Sequence, residues 1–231
     1  MEIIGYLESC YPDKFGIPRQ PGLVSQAWAK LRIDRKFQPE QAFVGLEGFS
    51  HIWLIFLFHQ NSNLRYHAKV HPPRLGGESI GVFASRSPHR PNPIGLSLVE
   101  LKKIEGDSLI LGGVDLVDGS PILDIKPYLP EIESKPGALS GWTGDVSASN
   151  VTVNFLPEQL EALEAWSRKI SQPQLKDLIV ETLKLDPRPL VYRGSEGSSY
   201  RTEHAVRFFN GDVHFRFRSP SDIEVLSIKL N

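Results

Sequence analysis

A proline-rich basic loop is the part of the sequence best suited to binding a charged ligand. The segment SRSPHRPNPIG, residues 85–95, holds three prolines and two arginines between two apolar stretches. Proline fixes the backbone angle φ and excludes a helix, so the loop is stiff before any ligand arrives. Such a loop could place Arg86, Arg90 and Asn92 against phosphates or a small charged molecule. The alternative is a rigid connection between strands whose arginines are only solvated.

A second polar cluster lies in the segment DLVDGSPILDIKPYLP, residues 115–130. Asp118 begins an Asp-Gly turn, so its presence has a purely structural explanation. Asp124 stands between two apolar residues, and strand alternation places it on the opposite face from them, with Lys126. This pair is either an exposed salt bridge or a charged carboxylate that takes part in chemistry. Tyr128 lies close to a proline on either side and could present a hydroxyl or a ring for base stacking.

Motifs of several common enzyme classes are missing. No G-x-G-x-x-G sequence follows a strand and opens a helix, there is no P-loop, and the βαβ alternation of a dinucleotide-binding fold is absent. His67 and His71 have the spacing of metal ligands on one helix face, but Val70 and the prolines at 72–73 argue against a helix. We therefore expect no metal site.

Short strands dominate the first two thirds of the chain. Apolar or alternating stretches separated by glycine and proline turns predict a barrel or sandwich over residues 1–155. These stretches are residues 2–7, 49–58, 80–84, 94–101, 109–111, 114–117, 122–125 and 150–155.

The pattern becomes helical after Leu156. Pro157 suits a first helical turn, and an apolar stripe with helical spacing follows it. A second helix is predicted over 173–185, and Asn210-Gly211 predicts a hairpin near the end of the chain. Residues 156–231 therefore look like a small α+β domain.

The composition is that of a soluble globular chain, with 40% hydrophobic and 23% charged residues among 231. No apolar run approaches the ~20 residues that span a bilayer. The first residues lack the basic start and long apolar stretch of a secretion signal. Cys10 is the single cysteine, which rules out an internal disulfide and favours a reducing compartment. These observations predict a cytoplasmic protein with no membrane association.

Positive charge is concentrated in two zones, although the net charge is −1. Residues 65–90 contain five lysines and arginines and one acid, and residues 188–218 contain six arginines and three acids. A phosphate backbone could use two such zones, or the charges are simply scattered and solvated.

Several long motifs, in fixed order, resemble the TsaA/TrmO family of tRNA methyltransferases, which act on N6-threonylcarbamoyladenosine beside the anticodon. The resemblance covers nearly the whole chain, and its clearest departure is Ser120, where threonine is expected. The motifs are PRQPG (18–22), GLEGFSHIW (45–53), FHQ (58–60), HPPRLGG (71–77), SRSPHRPNPIGLSLVEL (85–101), DLVDGSPILDIKPYLP (115–130) and DPRP (186–189).

The resemblance implies a mainly β protein that N6-methylates threonylcarbamoyladenosine at tRNA nucleotide 37. Residues 1–155 would form a single-sheeted β-barrel that binds S-adenosylmethionine, and residues 156–231 a small α+β domain that assists tRNA binding, in a homodimer. The implied cofactor contacts are Pro18, Arg19, Gln20, His59, Gln60, Arg86, Leu96, Asp115, Leu116, Val117 and Asp118. Contacts with tRNA are expected from Arg74, Arg90, Asn92 and Arg188.

The catalytic roles are hypotheses built on that reaction. Asp124 could accept the N6 proton, Tyr128 could pack on or bond to the modified base, and Lys126 or an arginine could meet the carboxylate of the threonyl arm. Two other functions stay open: a non-catalytic RNA-binding β-barrel module, and a methyltransferase of another substrate.

Overall fold

The computed structural model describes residues 1–61, 65–72, 75–143, 151–188 and 202–231. It divides the chain into two compact units that interleave along the sequence. The first, here called the barrel unit, comprises residues 1–8, 30–111 and 119–147. The second unit comprises residues 9–29, 112–118 and 148–231.

The described residues form twelve strands and four α-helices. The strands are β1 (Gly5–Ser9), β2 (Trp28–Ile33), β3 (His51–Leu57), β4 (Lys69–Val70), β5 (Ile80–Gly81), β6 (Ile94–Glu105), β7 (Ser108–Gly112), β8 (Ser120–Pro127), β9 (Thr152–Phe155), β10 (Glu203–Phe208), β11 (Gly211–Ser219) and β12 (Asp222–Leu230). The helices are α1 (Pro39–Ala42), α2 (Pro130–Glu133), α3 (Pro157–Lys169) and α4 (Leu175–Lys184).

Six strands close into a barrel in the order β1-β2-β7-β6-β3-β8. The predicted mainly β fold with a single-sheeted barrel is therefore confirmed. β3 pairs antiparallel with β6 on one side and with β8 on the other. The buried apolar side chains of these strands alternate with more exposed ones, as expected for strands that enclose a core. Those in the core include Leu7, Leu31, Ile52, Leu54, Val99, Leu109, Leu111 and Ile122.

The outer face of β3 and β6 is also apolar. Trp53 and Ile55 of β3 point away from the core, next to Leu98 and Leu96 of β6 in the strand register. Leu96 is 52% exposed, which is high for a leucine in the middle of a strand. The structure thus explains the continuous apolar run in the sequence: one half of it fills the barrel and the other half covers its outside.

Two stretches predicted as strands are largely something else. Residues 80–84 form the two-residue strand β5, paired with β4, followed by a 3-10 turn at Val82–Ala84. Residues 114–117 lie in a loop between β7 and β8, although the Asp118-Gly119 turn is present. Strands β7 and β8 are not neighbours in the barrel, so the chain between them must leave the sheet.

The second unit contains a four-stranded sheet in the order β10-β11-β12-β9, with α3 and α4 packed on it. The predicted hairpin is confirmed, but Phe208 pairs with Gly211, so its two turn residues are Phe209 and Asn210 rather than Asn210 and Gly211. Both helices occur close to their predicted bounds because Trp166 and a run of leucines supply an apolar stripe with helical spacing.

Strand β9 belongs to this sheet, where it pairs in parallel with β12. The same residues were predicted to lie at the end of the first domain. The split at residue 155 into independent domains stays a prediction.

Candidate functional site

The segment after β3 lies against the proline-rich loop of residues 85–95, within the barrel unit. Asn61 Nδ2 donates a hydrogen bond to Pro88 O at 3.0 Å. His59 and Gln60 come just before this bond and are exposed. The FHQ motif and the loop, far apart in sequence, therefore present their side chains from neighbouring segments.

The loop is held together by one of its own arginines. Arg90 Nη1 donates to Ser85 O at 2.8 Å and to Val82 O at 3.2 Å. Arg86 and Asn92 are exposed. Arg90, predicted to contact tRNA, thus also has a structural role, while Arg86 is the arginine of this loop that is more open to solvent.

In the second unit, residues 9–11 form hydrogen bonds with the loop that carries Asp118. Ser9 Oγ donates to Leu116 O at 2.8 Å, and Ser9 N donates to Asp118 Oδ1 at 2.8 Å. Asp118 N in turn donates to Tyr11 O at 2.8 Å. Leu116 points into the core, so its predicted contact with a ligand would have to come from its backbone.

The side chain of Tyr11 holds residues 9–11 in place through two contacts. Its ring is buried against Phe208 at 5.9 Å between centroids, and its hydroxyl lies 3.2 Å from Thr182 Oγ1. Burial raises the pKa of Tyr11, so the hydroxyl stays protonated. Neither Tyr11 nor Ser9 was singled out from the sequence. Their role depends on contacts more than 100 residues away, and no local motif marks it.

The PRQPG segment meets the same loop. Gly22 N donates to Gly113 O at 2.8 Å, and both glycines have positive φ, +77° and +66°. A Cβ on Gly113 would lie 3.4 Å from the Gly22 backbone, so this approach leaves little room for a side chain. Arg19 is exposed, whereas Pro18 is buried. The structure therefore brings the first and the last groups of predicted cofactor residues close together within the second unit.

The predicted catalytic carboxylate forms an ion pair on the outer face of the barrel. Asp124 Oδ2 lies 2.9 Å from Lys126 Nζ, and both side chains are about half exposed. Asp124 Oδ1 also accepts the backbone N–H of Ile125 at 2.9 Å. The shared face predicted by strand alternation is confirmed. In the strand register Asp124 stands opposite Ile55, which is itself opposite Leu96.

Tyr128 lies in an aromatic cluster next to this ion pair. Its ring packs edge-on against Trp53 and His51, with centroids 6.0 Å and 6.5 Å apart. Trp53 Nε1 donates to Glu133 Oε1 at 3.0 Å, which connects the cluster to α2. The ring of Tyr128 is thus oriented by its neighbours, as a group that positions a base would have to be.

Of the remaining residues predicted to contact tRNA, Arg188 is enclosed and Arg74 lies outside the described residues. The Arg188 guanidinium stacks on the Phe217 ring at 3.4 Å from its centroid and pairs with Asp186 at 2.8 Å. Arg188 is only 4% exposed. This placement does not support the expected contact of Arg188 with tRNA, because its guanidinium is turned into the protein.

Two further findings concern the described ranges alone. No three His, Cys, Asp or Glu side chains lie together as a metal site requires. No helix there is long and apolar enough to cross a bilayer.

The chemistry of the donor set fits S-adenosylmethionine. Within the second unit, the exposed carboxylate of Asp118 suits ribose hydroxyls or a sulfonium charge, and exposed Arg19 suits a carboxylate. Residues 113–118 lie outside the sheet ladders, in a loop whose Gly113 O, Leu116 O and Asp118 N are hydrogen-bonded within the protein. None of this requires a dinucleotide-binding fold.

Two family models match consecutive parts of the chain. The model described as the tRNA-methyltransferase O N-terminal domain matches residues 6–134. The model described as the TrmO C-terminal domain matches residues 148–231.

Individual relatives agree with these models. The chain is 46% identical to tRNA (adenine(37)-N6)-methyltransferase of Escherichia coli K12, over 86% of either chain. It is 41% identical to a putative S-adenosylmethionine-dependent methyltransferase of Pseudomonas aeruginosa, over 97% of this chain and 95% of the relative. The crystal structure of TrmO from Pseudomonas aeruginosa has a TM-score of 0.80 at 36% identity, covering 98% of this chain and 96% of that one.

Proposed function

The chain belongs to the TrmO family of tRNA methyltransferases, and from this premise we propose that it methylates N6 of threonylcarbamoyladenosine at tRNA nucleotide 37. S-adenosylmethionine is the methyl donor, and the product is N6-methyl-N6-threonylcarbamoyladenosine. The observation that carries the proposal is the 46% identity to the Escherichia coli enzyme, whose name states the adenine and the nitrogen that are modified. The threonylcarbamoyl group rests on the motifs quoted from the sequence.

Methyl transfer from a sulfonium sets modest demands on the protein. The cofactor supplies an already activated methyl group, so the protein mainly has to align the acceptor nitrogen with it. That nitrogen carries a carbonyl substituent, and its lone pair is delocalised. Removing its proton would make it a better nucleophile, which is why a nearby carboxylate matters.

We assign cofactor binding to the eleven residues that the family resemblance points to. In the second unit these are Pro18, Arg19, Gln20, Asp115, Leu116, Val117 and Asp118, and in the barrel unit His59, Gln60, Arg86 and Leu96. The ordered backbone around Ser9 and the exposure of Arg19, Arg86 and Asp118 support this assignment. Leu116 would contribute through its backbone, since its side chain is in the core.

We assign the acceptor side to Asp124, Lys126 and Tyr128. The Asp124 carboxylate would take the N6 proton, Lys126 or an arginine would meet the carboxylate of the threonyl arm, and the oriented ring of Tyr128 would hold the base. Arg90 and Asn92 of the proline-rich loop, together with Arg74, stay proposed contacts with tRNA.

Comparing tRNA nucleosides by mass spectrometry tests the function directly. In a strain that lacks the gene, the N6-methylated threonylcarbamoyl nucleoside should disappear and its unmethylated precursor accumulate. Expression of the wild-type chain should restore it. If restoration fails while another nucleoside or a small molecule is methylated by the purified protein, the chain is a methyltransferase of a different substrate.

We further propose that the chain works as a homodimer in the cytoplasm, where tRNA is modified. The apolar outer face formed by Trp53, Ile55, Leu96 and Leu98 supports a dimer, since exposed apolar patches often mark contacts between proteins. Sedimentation should give twice the monomer mass of 25.9 kDa. Leu98→Glu should give the monomer mass, and a wild-type protein that sediments as a monomer contradicts the proposal.

A further inference from the structure

Phe83 is a large aromatic side chain left in solvent on the barrel unit. It stands in the 3-10 turn Val82–Ala84 and is 73% exposed, whereas Val82 next to it is buried. Burial of a phenylalanine side chain stabilises a fold, and a ring exposed to this degree contributes little of that stabilisation. Phe83 comes directly before the proline-rich loop, in which Arg86 is proposed to bind the cofactor and Arg90 and Asn92 are proposed to contact tRNA.

The turn that carries Phe83 is fixed by neighbouring and distant segments. Val82 N donates to Ala68 O at 2.9 Å, and Val82 O accepts Arg90 Nη1 at 3.2 Å. From the other side of the turn, Trp142 Nε1 donates to Ala84 O at 2.7 Å. Because the backbone is held before and after Phe83, the ring is displayed on a rigid support.

Phe83 contacts one cation and lies in a positively charged stretch of the sequence. The Arg90 guanidinium carbon lies 5.7 Å from the centre of the Phe83 ring, a cation–π distance. The stretch of chain from 65 to 90, which includes Phe83, has five lysines and arginines against one acid. Arg65, Lys69 and Arg86 of this stretch are exposed. An aromatic ring among cations is the combination that binds a base and its phosphate in single-stranded nucleic acids.

We propose that Phe83 is a stacking platform for an unpaired base of the tRNA anticodon loop, with the surrounding cations facing the adjacent phosphates. The inference rests on the proposed function, which requires an adenine in that loop to be presented with its N6 accessible. Loop bases that are not paired can be turned outward and stacked on aromatic side chains. Phe83 would hold such a base and thereby strengthen the binding of the loop.

Steady-state kinetics with unmethylated tRNA test this role. Stacking is worth ~1–3 kcal/mol per base, so Phe83→Ala should raise KM for tRNA by about 5-fold or more. Turnover at saturating tRNA and affinity for S-adenosylmethionine should stay within about twofold of wild type. Phe83→Trp should keep wild-type KM because it preserves an aromatic face, whereas Phe83→Leu should resemble Phe83→Ala. Val44→Ala, at another exposed apolar residue of the barrel unit, is the matched control and should change nothing.

The salt dependence of tRNA binding shows whether Phe83→Ala removes a stacking contact or displaces the neighbouring cations. Phe83→Ala should weaken binding equally at every salt concentration, because the ring carries no charge and releases no counterions. A changed slope of log Kd against log salt would overturn the proposal, as would a Phe83→Leu variant with wild-type KM. So would a Phe83→Ala protein that sediments as a monomer when wild type is a dimer, since Phe83 would then contact a second copy. A wild-type protein that does not methylate tRNA refutes the proposed function itself, and that outcome is separate from all of these.

Discussion

Arg188 is a buried cation whose partners lie inside the protein. Its guanidinium is stacked on Phe217 and paired with Asp186, and Arg188 is almost fully buried. Removing one partner of a buried pair leaves the other charge uncompensated. We therefore expect Arg188→Ala to lower the free energy of unfolding by about 2–4 kcal/mol, measured by urea denaturation.

Arg168→Ala is the control for this prediction. Arg168 is exposed and lies 3.9 Å from Glu164 one helical turn away, so its loss should cost at most ~0.5 kcal/mol. If Arg188→Ala instead unfolds like wild type and only its tRNA affinity falls, the RNA contact expected from the sequence would be right after all.

Asp124 permits a test of the proposed proton transfer. Asp124→Asn keeps the size of the side chain and an oxygen for the Ile125 N–H, but cannot take up a proton. A lost general base typically costs about 10²–10⁴-fold in rate. We expect kcat to fall by that order, with KM for tRNA and affinity for S-adenosylmethionine nearly unchanged.

Glu100→Gln supplies a comparison in the same barrel. Glu100 pairs with Lys102 at 2.8 Å and is about as exposed as Asp124, yet no catalytic role is assigned to it. Equal turnover of the two variants would mean that Asp124 is only one half of a surface ion pair.

The limits of prediction at the residue scale follow from distance along the chain. Asp124 and Lys126 were placed on one face correctly because alternation is a local property. Ser9 could not be found in this way, since its two partners in the Asp118 loop are more than 100 residues away. The burial of Arg188 depends on Phe217, a contact that no short motif encodes.

Strands β11 and β12 are joined by a charged cluster that should respond to acid. Hydrogen bonds from Arg218 and Arg216 hold the pKa of Glu224 below its ordinary value of 4.5. Because the folded-state pKa is the lower one, the cluster stabilises the fold above pH 4.5. That contribution is lost as the pH falls through the folded-state pKa.

We therefore expect wild type to lose stability in acid more steeply than Glu224→Gln. The difference between their thermal midpoints should be largest near neutral pH and shrink below pH 4.5. Glu164→Gln, which removes an exposed carboxylate, should follow wild type at every pH. A constant gap between wild type and Glu224→Gln down to pH 2 would show that the cluster does not titrate with folding.

At the scale of elements, regular periodicity was the reliable signal. The helical stripe with Trp166 and the turn before Gly211 predicted α3 and the hairpin of β10 and β11. Residues 114–117 were wrongly predicted to form a strand, because a short run of apolar residues is typical of strands. Leu116 is indeed buried, but it is buried from a loop, and the order of strands in the barrel decides that.

At the scale of the whole molecule, cofactor binding should be visible as stability. A ligand at 100 times its Kd raises the free energy of unfolding by about 2.7 kcal/mol. We expect S-adenosylmethionine to raise the thermal midpoint of wild type, and Asp118→Asn to reduce this rise because one proposed ligand group loses its charge. Glu47→Gln, at an exposed acid with no proposed role in cofactor binding, should respond like wild type.

The same measurement addresses the alternative of a non-catalytic RNA-binding module. Such a protein would bind tRNA without responding to S-adenosylmethionine. A midpoint that does not move at millimolar cofactor would favour it.

The interleaving of the two units has a consequence for how the protein is made. Residues 9–29 and 112–118 belong to the same unit as residues 148–231, and Tyr11 packs on Phe208, near the end of the chain. On the ribosome, the loop with Asp115 and Asp118 emerges before the segments that complete its surroundings. Phe208 follows Asp118 by 90 residues, which take about 5–18 seconds to synthesise at roughly 5–20 residues per second. The surroundings of the proposed cofactor loop are therefore completed only after Phe208 has been added, and we expect a nascent chain that stops before Phe208 not to bind S-adenosylmethionine through this loop.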